Sequence, residues 1–288
     1  PGISQHQMPV FLKEKLGFLA LSLKNEQIST AWAHGDFTPW NGLVAGDKMR
    51  LYDFELARPQ MPFGFDAFHF VLQQGILAER RPWKVLKPKL RAAFDLLCKE
   101  TGFSNVFFDR CLQAYLLVNT AYYWRIYSQQ EKWHTQISWL LDTWNDALSD
   151  LIPSNETPRQ LLIGDVFDFL HRSPYATVKF PEIPPKTLSE YADIDLLLPK
   201  NAANDLLRYL KNHSLVQNVR VKRQSNMMAL SVALNDGSLL ALDLIWQLRR
   251  KALEFMKVSD ALAHVRVNSF GIKIMALAHT QTYPKCFY

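Results

Sequence analysis

The chain has 288 residues, of which 48% are hydrophobic and 21% are charged, so it is long enough for two domains and too apolar to be disordered. No apolar run is long enough to span a bilayer, and no block of Lys and Arg argues for a nucleic-acid partner. The formal net charge of +6 is mild and is compatible with a ligand that carries phosphate.

The three cysteines, Cys98, Cys111 and Cys286, are far apart in the chain. An odd, scattered set suits a reducing compartment better than a disulfide framework. The first residues also lack the basic start and apolar core of a secretory signal. We therefore expect a cytoplasmic protein with no membrane partner. Because the chain begins at Pro1 without an initiator Met, we also expect it to be a fragment of a longer product.

The first half of the chain is predicted to be largely helical. Residues 7–24 place apolar side chains at helical spacing, and residues 29–33 read as a short extended segment. Residues 41–54 are typical of a small hairpin, with Gly46 at its turn. From residue 65 to 151 the pattern is helical almost throughout, and Leu, Tyr and Trp are enriched as in helices that pack around one core.

Turn-forming residues at 152–158 mark the predicted boundary between a domain of residues 1–152 and a domain of residues 156–288. Thr157 is expected to cap a helix that runs to about His171, with the following proline at its first position. Beyond this helix the second domain is predicted to be mixed α and β, which gives an α+β fold class for the chain. The predicted strands cover residues 175–180, 193–198, 219–223, 228–234, 239–246 and 271–274, and the predicted helices cover residues 201–212 and 251–263.

Two carboxylates and an amide in the first domain match the needs of phosphoryl transfer. Transfer from ATP requires a carboxylate beside the attacking hydroxyl, and carboxylate and amide oxygens that hold Mg²⁺. Asp36 and Asn41 are five positions apart on one predicted loop, and Asp53 follows the hairpin. The hairpin is expected to bring the three side chains to one place. This set therefore predicts a site that uses ATP and Mg²⁺.

Three motifs in this region occur in the order and spacing found in a family of small-molecule kinases. The segment His34–Asn41 (HGDFTPWN) resembles the catalytic loop of aminoglycoside and choline phosphotransferases. The segment Leu51–Glu55 resembles their metal-binding segment, and Gly64–Phe68 resembles the segment that carries a buried Asp. The resemblance covers roughly residues 1–150 and implies a helical C-lobe of the protein-kinase type.

The resemblance also implies a role for each matching residue. Asp36 would be the catalytic base, and Asn41 and Asp53 would bind the metal. Asp66 would be buried and would brace the catalytic loop. His34 is expected to be structural and to bond to the backbone.

Kinases of this shape also have an N-terminal lobe, with a loop that covers the phosphates and a Lys that binds them. The residues before His34 read as helix and supply neither feature. We expect that lobe to lie upstream of Pro1. Without the lobe, we expect the fragment to be inactive.

The second domain carries a separate set of carboxylates. Asp193 and Asp195 alternate with apolar residues on a predicted strand, so the two side chains share one face. Asp243 lies on another predicted strand. Three carboxylates that converge on a sheet edge are typical of a two-metal nucleotide site, so all three are predicted metal ligands.

This arrangement resembles the nucleotidyltransferase fold, over roughly residues 157–288. That family usually has a Gly-Ser turn ahead of the paired acids to hold the triphosphate. The corresponding stretch here, residues 175–182, has no such turn. The departure puts nucleotide transfer in question but leaves the fold expectation in place.

The sequence therefore predicts an ATP-dependent phosphotransferase that acts on a hydroxyl of a small polar molecule, such as a sugar, an amino alcohol or an aminoglycoside. Two alternatives stay open. The second domain could be the working nucleotidyltransferase, or both domains could bind nucleotide or sugar without catalysis. The expected partner is the small-molecule acceptor, and neither the acceptor nor the oligomeric state can be read from the sequence.

Overall fold

A computed structural model describes residues 7–103, 107–178, 180, 182–250 and 253–276. The chain is mixed α and β, and it forms two units. The helical unit comprises Lys13–Pro153, and the sheet unit comprises the described residues before Lys13 and after Pro153. This grouping differs from the predicted domain of residues 1–152 in one respect, because the first residues belong with the second unit.

The helical unit contains helices where the periodicity predicted them and the one predicted hairpin, together with a strand pair that the sequence did not predict, β1 with β4. Strands β1 and β4 pair antiparallel, as do β2 and β3, and Gly46 takes a positive φ of 64° in the hairpin turn. No helix in the described part of the chain is long and apolar enough to cross a membrane. The elements are α1 (Val10–Leu23), β1 (Thr30–Ala33), β2 (Gly42–Ala45), β3 (Lys48–Leu51), β4 (Arg58–Pro62), α2 (Phe65–Gln73), α3 (Trp83–Thr101), α4 (Phe108–Tyr127) and α5 (Thr135–Leu151).

The core of the helical unit is rich in aromatic rings. Phe65, Phe68 and Leu72 of α2 recur at helical spacing and are buried. Phe68 stacks on Phe94 of α3, with 5.5 Å between the ring centroids, and meets Tyr115 of α4 edge to face. Such pairs add to the stability that comes from area burial alone. The packing fixes the position of α2, which carries two residues of the candidate site.

The sheet unit is built around one seven-stranded sheet with the strand order β12-β13-β5-β6-β9-β8-β7. Strands β6 and β9 pair parallel at its centre. Helices α6 and α7 contribute buried apolar residues to the same core as the sheet. The elements are α6 (Pro158–Leu170), β5 (Ala176–Thr177), β6 (Asp193–Leu197), α7 (Lys200–Asn212), β7 (Val216–Arg223), β8 (Met227–Leu234), β9 (Leu239–Ile245), β10 (Leu248–Arg250), β11 (Leu253–Met256), α8 (Val258–Ala263), β12 (Val265–Val267) and β13 (Lys273–Met275).

Helix α6 is fixed at both ends by hydrogen bonds. Thr157 and Gln160 form a reciprocal capping box at its start, as the sequence predicted for the cap. Near its end, the carboxylate of Asp168 accepts the backbone N–H groups of Phe11 and Leu12, at 3.2 and 2.6 Å. These N–H groups lie in the first turn of α1, where they have no partner within the helix. This contact explains why the first residues group with the sheet unit.

Two predicted elements differ from the structure. The strand predicted over residues 175–180 is reduced to Ala176–Thr177 among the described residues. Residues 251–263 were expected to form a helix, but Leu253–Met256 is strand β11, paired antiparallel with β10, and only Val258–Ala263 is helical. The pairing with β10 overrides the local helical pattern. Lys251, Ala252 and Cys286 lie outside the described residues.

Candidate functional site

The loop between β1 and β2 is held by a carboxylate from α2. Asp66, in the first turn of α2, accepts the backbone N–H of His34 at 2.7 Å and that of Gly35 at 3.1 Å. Hydrogen bonds to an ionised acceptor are stronger than neutral ones. Asp66 is half-buried, so it is less enclosed than the expected buried Asp. Its two oxygens fix the backbone directly before Asp36.

Gly35 is the residue that this loop geometry requires. Its φ is +85°, and a Cβ at this position would collide with the backbone carbonyl of Leu56. Side-chain-bearing residues rarely adopt this conformation. The glycine therefore lets the loop pass close to the backbone that follows Asp53.

His34 connects the loop to the hairpin. Its Nε2 lies 3.0 Å from the carbonyl oxygen of Tyr52, and the backbone N–H of Asp36 points at its Nδ1 at 3.4 Å. A carbonyl only accepts, so Nε2 carries the proton and Nδ1 is free to accept. Tyr52 also donates its backbone N–H to the carbonyl of Asn41, at 3.3 Å. This hydrogen bond ties the chain directly before Asp53 to the loop that carries Asp36 and Asn41.

Both carboxylate oxygens of Asp36 are hydrogen-bonded. The Nδ2 of Asn41 donates to Oδ2 at 2.8 Å and to the backbone carbonyl of Asp36 at 3.0 Å. On the other side, Nε2 of His69 lies 3.1 Å from Oδ1, and the hydroxyl of Tyr123 lies at 3.5 Å. His69 is fully buried, and its Nδ1 lies 3.1 Å from the hydroxyl of Tyr115. Asp36 itself is 28% exposed, so its carboxylate still reaches solvent.

These contacts favour the ionised form of Asp36. The hydrogen bond from His69 lowers the pKa of the Asp36 carboxyl below its ordinary value, although partial burial opposes the shift. Burial, and then the charge of Asp36, raise the pKa of the Tyr123 hydroxyl far above its ordinary value. Burial raises that of Tyr115 in the same way. The site therefore combines an anionic carboxylate with neutral phenols that act as donors.

Asp53 stands apart from this hydrogen-bond network. It is exposed and adopts the left-handed conformation, with φ 69° and ψ 55°. This backbone region is uncommon for residues other than Gly, and Asp is among those that tolerate it. Non-glycine residues in this region often occur at functional sites. Whether Asp53 and Asn41 share one ion stays a prediction.

Sequence reasoning missed three of the side chains around Asp36, namely His69, Tyr115 and Tyr123. A signal for His69 was present, because it follows Asp66 by three positions on a helix and therefore shares its face. The two tyrosines come from α4, and nothing in their local pattern separates them from other core aromatics. Their role depends on the packing of α4 against α2.

The sheet unit brings its three predicted acidic residues together. Asp193 and Asp195 lie on β6, and Asp243 lies on β9 directly opposite Asp195 in the parallel register. One carboxylate oxygen from each residue lies within 4.8 Å of the others. Asp193 is exposed, and the other two are half-buried. The clustering follows from strand alternation, as the sequence predicted.

This cluster has the chemistry of a divalent-cation site. Burial, and then the carboxylate of Asp193, raise the pKa of the Asp243 carboxyl. A cation among the three oxygens would relieve the repulsion between them, and all-oxygen ligand sets suit Mg²⁺ and Mn²⁺. The residues therefore fit a hard metal ion.

The segment that leads into β6 is held by Arg159 of α6. Its guanidinium group is buried, with 4% of the residue exposed. It donates to four backbone carbonyls, those of Leu188, Ser189, Ala192 and Leu239. Three of these acceptors lie in the segment before β6, and the fourth, Leu239, is the first residue of β9. Arg159 thus connects the starts of β6 and β9.

Comparison of the chain with protein-family models, with curated proteins and with solved structures found no match.

Proposed function

We propose that the protein is an ATP-dependent phosphotransferase that acts on a hydroxyl of a small polar molecule, with Asp36 as the catalytic base. The observation that carries this proposal is the environment of Asp36. Its carboxylate is ionised and partly exposed, and it is oriented by Asn41 and His69. A base that must bind and deprotonate an acceptor hydroxyl needs these properties. On this proposal the helical unit corresponds to a kinase C-lobe.

In the proposed reaction, Asp36 orients the acceptor hydroxyl and takes its proton. The acceptor oxygen forms a bond to the γ-phosphorus of ATP, and the bond from that phosphorus to the β,γ-bridging oxygen breaks. ADP leaves with the electron pair of the broken bond. The proton on Asp36 then passes to solvent through the exposed part of the carboxyl group.

Asn41 and Asp53 are the proposed ligands of Mg²⁺. The Nδ2 of Asn41 is used by Asp36, so its Oδ1 is the atom that suits a cation. Asp53 supplies an exposed carboxylate one residue beyond the Asn41–Tyr52 backbone pair. When bound, the ion would neutralise charge on the phosphates of the nucleotide.

The test is transfer of labelled γ-phosphate from ATP to a panel of sugars, amino alcohols and aminoglycosides by the full-length protein. We expect Asp36→Asn to lower turnover by about 10²–10⁴-fold, the usual contribution of a general base. Asp47→Asn is the matched control, since Asp47 is an exposed acid in the hairpin turn. Undiminished transfer by Asp36→Asn would exclude Asp36 as the base.

The acidic cluster favours a second candidate function, nucleotidyl transfer by the sheet unit. The supporting observation is the approach of the Asp193, Asp195 and Asp243 oxygens within 4.8 Å. The two reactions leave different products, because phosphoryl transfer releases ADP and nucleotidyl transfer releases pyrophosphate. If pyrophosphate release is lost in Asp243→Asn but retained in Asp36→Asn, the second candidate is favoured. If neither product forms with any acceptor, a non-catalytic binding protein is favoured.

A further inference from the structure

A buried hydroxyl contacts His69 on the side of the ring away from Asp36. Tyr115 of α4 is 0% exposed, and its hydroxyl oxygen lies 3.1 Å from Nδ1 of His69. Among the described residues, His69 is the one hydrogen-bond partner of this hydroxyl. Burial raises the pKa of the Tyr115 hydroxyl well above its ordinary value. The phenol is therefore neutral and has one proton to donate.

The His69 ring can carry its protons in three ways, which differ in how many buried groups find a partner. A proton on Nδ1 alone would leave Nε2 bare against Oδ1 of the Asp36 carboxylate, so two acceptors would face each other at 3.1 Å. With a proton on both nitrogens, Nδ1–H would point at the Tyr115 oxygen, and the Tyr115 proton would have no acceptor among the described residues. A proton on Nε2 alone gives every one of these groups a partner.

The aromatic core holds the Tyr115 hydroxyl in this position. The Tyr115 ring meets the rings of Phe65 and Phe68 edge to face, with centroid distances of 4.9 and 5.7 Å. Both phenylalanines are buried and lie on α2, the helix that carries His69. Side chains in an interior packed to the usual density have little room to move. The contact between Tyr115 and His69 is therefore part of the packing of α4 on α2.

We propose that Tyr115 is a positioning residue for the phosphotransferase reaction, because its hydroxyl fixes His69 as a neutral Nε2–H donor to Asp36. The inference rests on the proposed function, which makes Asp36 the base. A cationic His69 would hold the Asp36 carboxylate in an ion pair and make it a poorer proton acceptor. A proton that enters at Nδ1 must displace the bond from Tyr115. Tyr115 thus favours the form of the ring that orients Asp36 without neutralising it.

The first test observes the protons of His69 directly, without ATP or acceptor. In the full-length protein labelled with ¹⁵N-histidine, two-bond proton–nitrogen correlation spectra distinguish a protonated ring nitrogen from a bare one, and loss of the signals in His69→Gln assigns them. Near neutral pH we expect a protonated Nε2 and a bare Nδ1 in the wild type. A protonated Nδ1 in the wild type would overturn the proposal, whatever any variant does.

Tyr115→Phe keeps the ring in the core and removes the hydroxyl. In this variant the Nδ1 signal of His69 should move toward the protonated position, because protonation there no longer displaces a donor. For transfer of labelled phosphate, kcat should fall about tenfold, which corresponds to about 1.4 kcal/mol. KM should change little, because the hydroxyl acts through His69 and not on the acceptor. An unshifted Nδ1 signal or a wild-type kcat would overturn the proposal.

The matched control is Tyr175→Phe, which removes a buried hydroxyl from the sheet unit. Tyr175 is 2% exposed, and its hydroxyl accepts the backbone N–H of Lys273 at 3.3 Å. This variant should leave kcat and the His69 signals as they are in the wild type. An equal fall in kcat in both variants would show a general effect of losing a buried hydroxyl and would overturn the proposal.

The spectra and the kinetics separate this inference from the proposed function. If the His69 signals behave as expected but no labelled phosphate reaches any acceptor, the hydrogen-bond arrangement stands and the phosphotransferase function fails. If transfer depends on Asp36 but is equal in the wild type and in Tyr115→Phe, the function stands and the role of Tyr115 fails.

Discussion

The Nε2 atom of His69 lies 3.1 Å from Oδ1 of Asp36, and the Nδ1 atom of the same ring lies 3.1 Å from the hydroxyl of Tyr115. A carboxylate accepts only, so Nε2 must donate, and a hydroxyl at Nδ1 can supply the matching hydrogen bond. The ring is fully buried and stacks on Tyr123, with 6.1 Å between centroids. His69 therefore has a fixed orientation and is a positioning residue for Asp36.

This relationship predicts a pH effect. The bond from His69 lowers the pKa of Asp36, so the base should stay ionised at more acidic pH than an ordinary carboxyl. In His69→Leu, the acid limb of kcat/KM for phosphate transfer should move to higher pH, and kcat should fall more than KM changes. His69→Gln keeps a donor and should restore part of the wild-type profile. A His69→Leu profile that overlays the wild type would exclude this role.

Asp66 is expected to be essential for the geometry of the loop. Asp66→Ala leaves the N–H groups of His34 and Gly35 without their acceptor, and each bond to a charged group contributes about 1.5–3 kcal/mol. Because Asp66 is half-buried, water can replace part of the two lost bonds, so we expect a loss of about 2–4 kcal/mol in the free energy of unfolding of the helical unit, measured by urea denaturation. The control is Asp95→Ala, an exposed acid on α3, which should change stability by less than about 0.5 kcal/mol. Equal effects of the two substitutions would contradict the bracing role.

Gly35 and Gly46 both have a positive φ, but only at Gly35 would an added Cβ collide with a neighbouring atom. Substituting each glycine therefore separates the cost of backbone strain from the cost of a steric collision. Gly46→Ala should cost about 1–2 kcal/mol from its φ of 64° alone, because a Cβ there meets open space. Gly35→Ala adds a collision with the carbonyl of Leu56, so it should be more destabilising. It should also displace the loop. Thermal melts followed by circular dichroism would measure the loss of stability, and chemical-shift changes in two-dimensional NMR spectra would report the displacement. Comparable losses in the two variants would show that the loop relaxes freely around Leu56.

The acidic cluster predicts a response to metal ions with a defined sign. The pKa of Asp243 is raised in the folded state, so folding stability should fall as pH rises from the ordinary Asp value through the raised one. Asp243→Asn should therefore raise the melting temperature near neutral pH without metal. It should also abolish the stabilisation by Mn²⁺, which in the wild type adds about 2.7 kcal/mol at a concentration about 100-fold above Kd.

Asp205→Asn is the control for this experiment, because Asp205 lies on the exposed face of α7, paired with Arg208. It should leave both the melting temperature and the Mn²⁺ response close to wild type. Absence of any Mn²⁺ response in the wild type would leave the cluster without a metal role.

The parts of the structure that sequence predicted are those set by local periodicity. The alternation in β6 placed Asp193 and Asp195 on one face, and the cap at Thr157 placed the start of α6. The parts that it missed depend on contacts between distant segments. Strand β11 forms because it pairs with β10, and Tyr115 and Tyr123 reach the surroundings of Asp36 through the packing of α4 on α2. Neither contact leaves a local pattern that could be recognised in advance.

The hydrogen bonds from Phe11 and Leu12 to Asp168 have a consequence for the order of folding. Asp168 follows Phe11 by 157 positions, and closing a chain loop of this length costs roughly 4 kcal/mol in entropy. The helical unit is continuous from Lys13 to Pro153, so during synthesis all of its residues can be available to fold before α6 has left the ribosome. The amides of Phe11 and Leu12 should then become protected from hydrogen exchange late in refolding, after those in the aromatic core around Phe68.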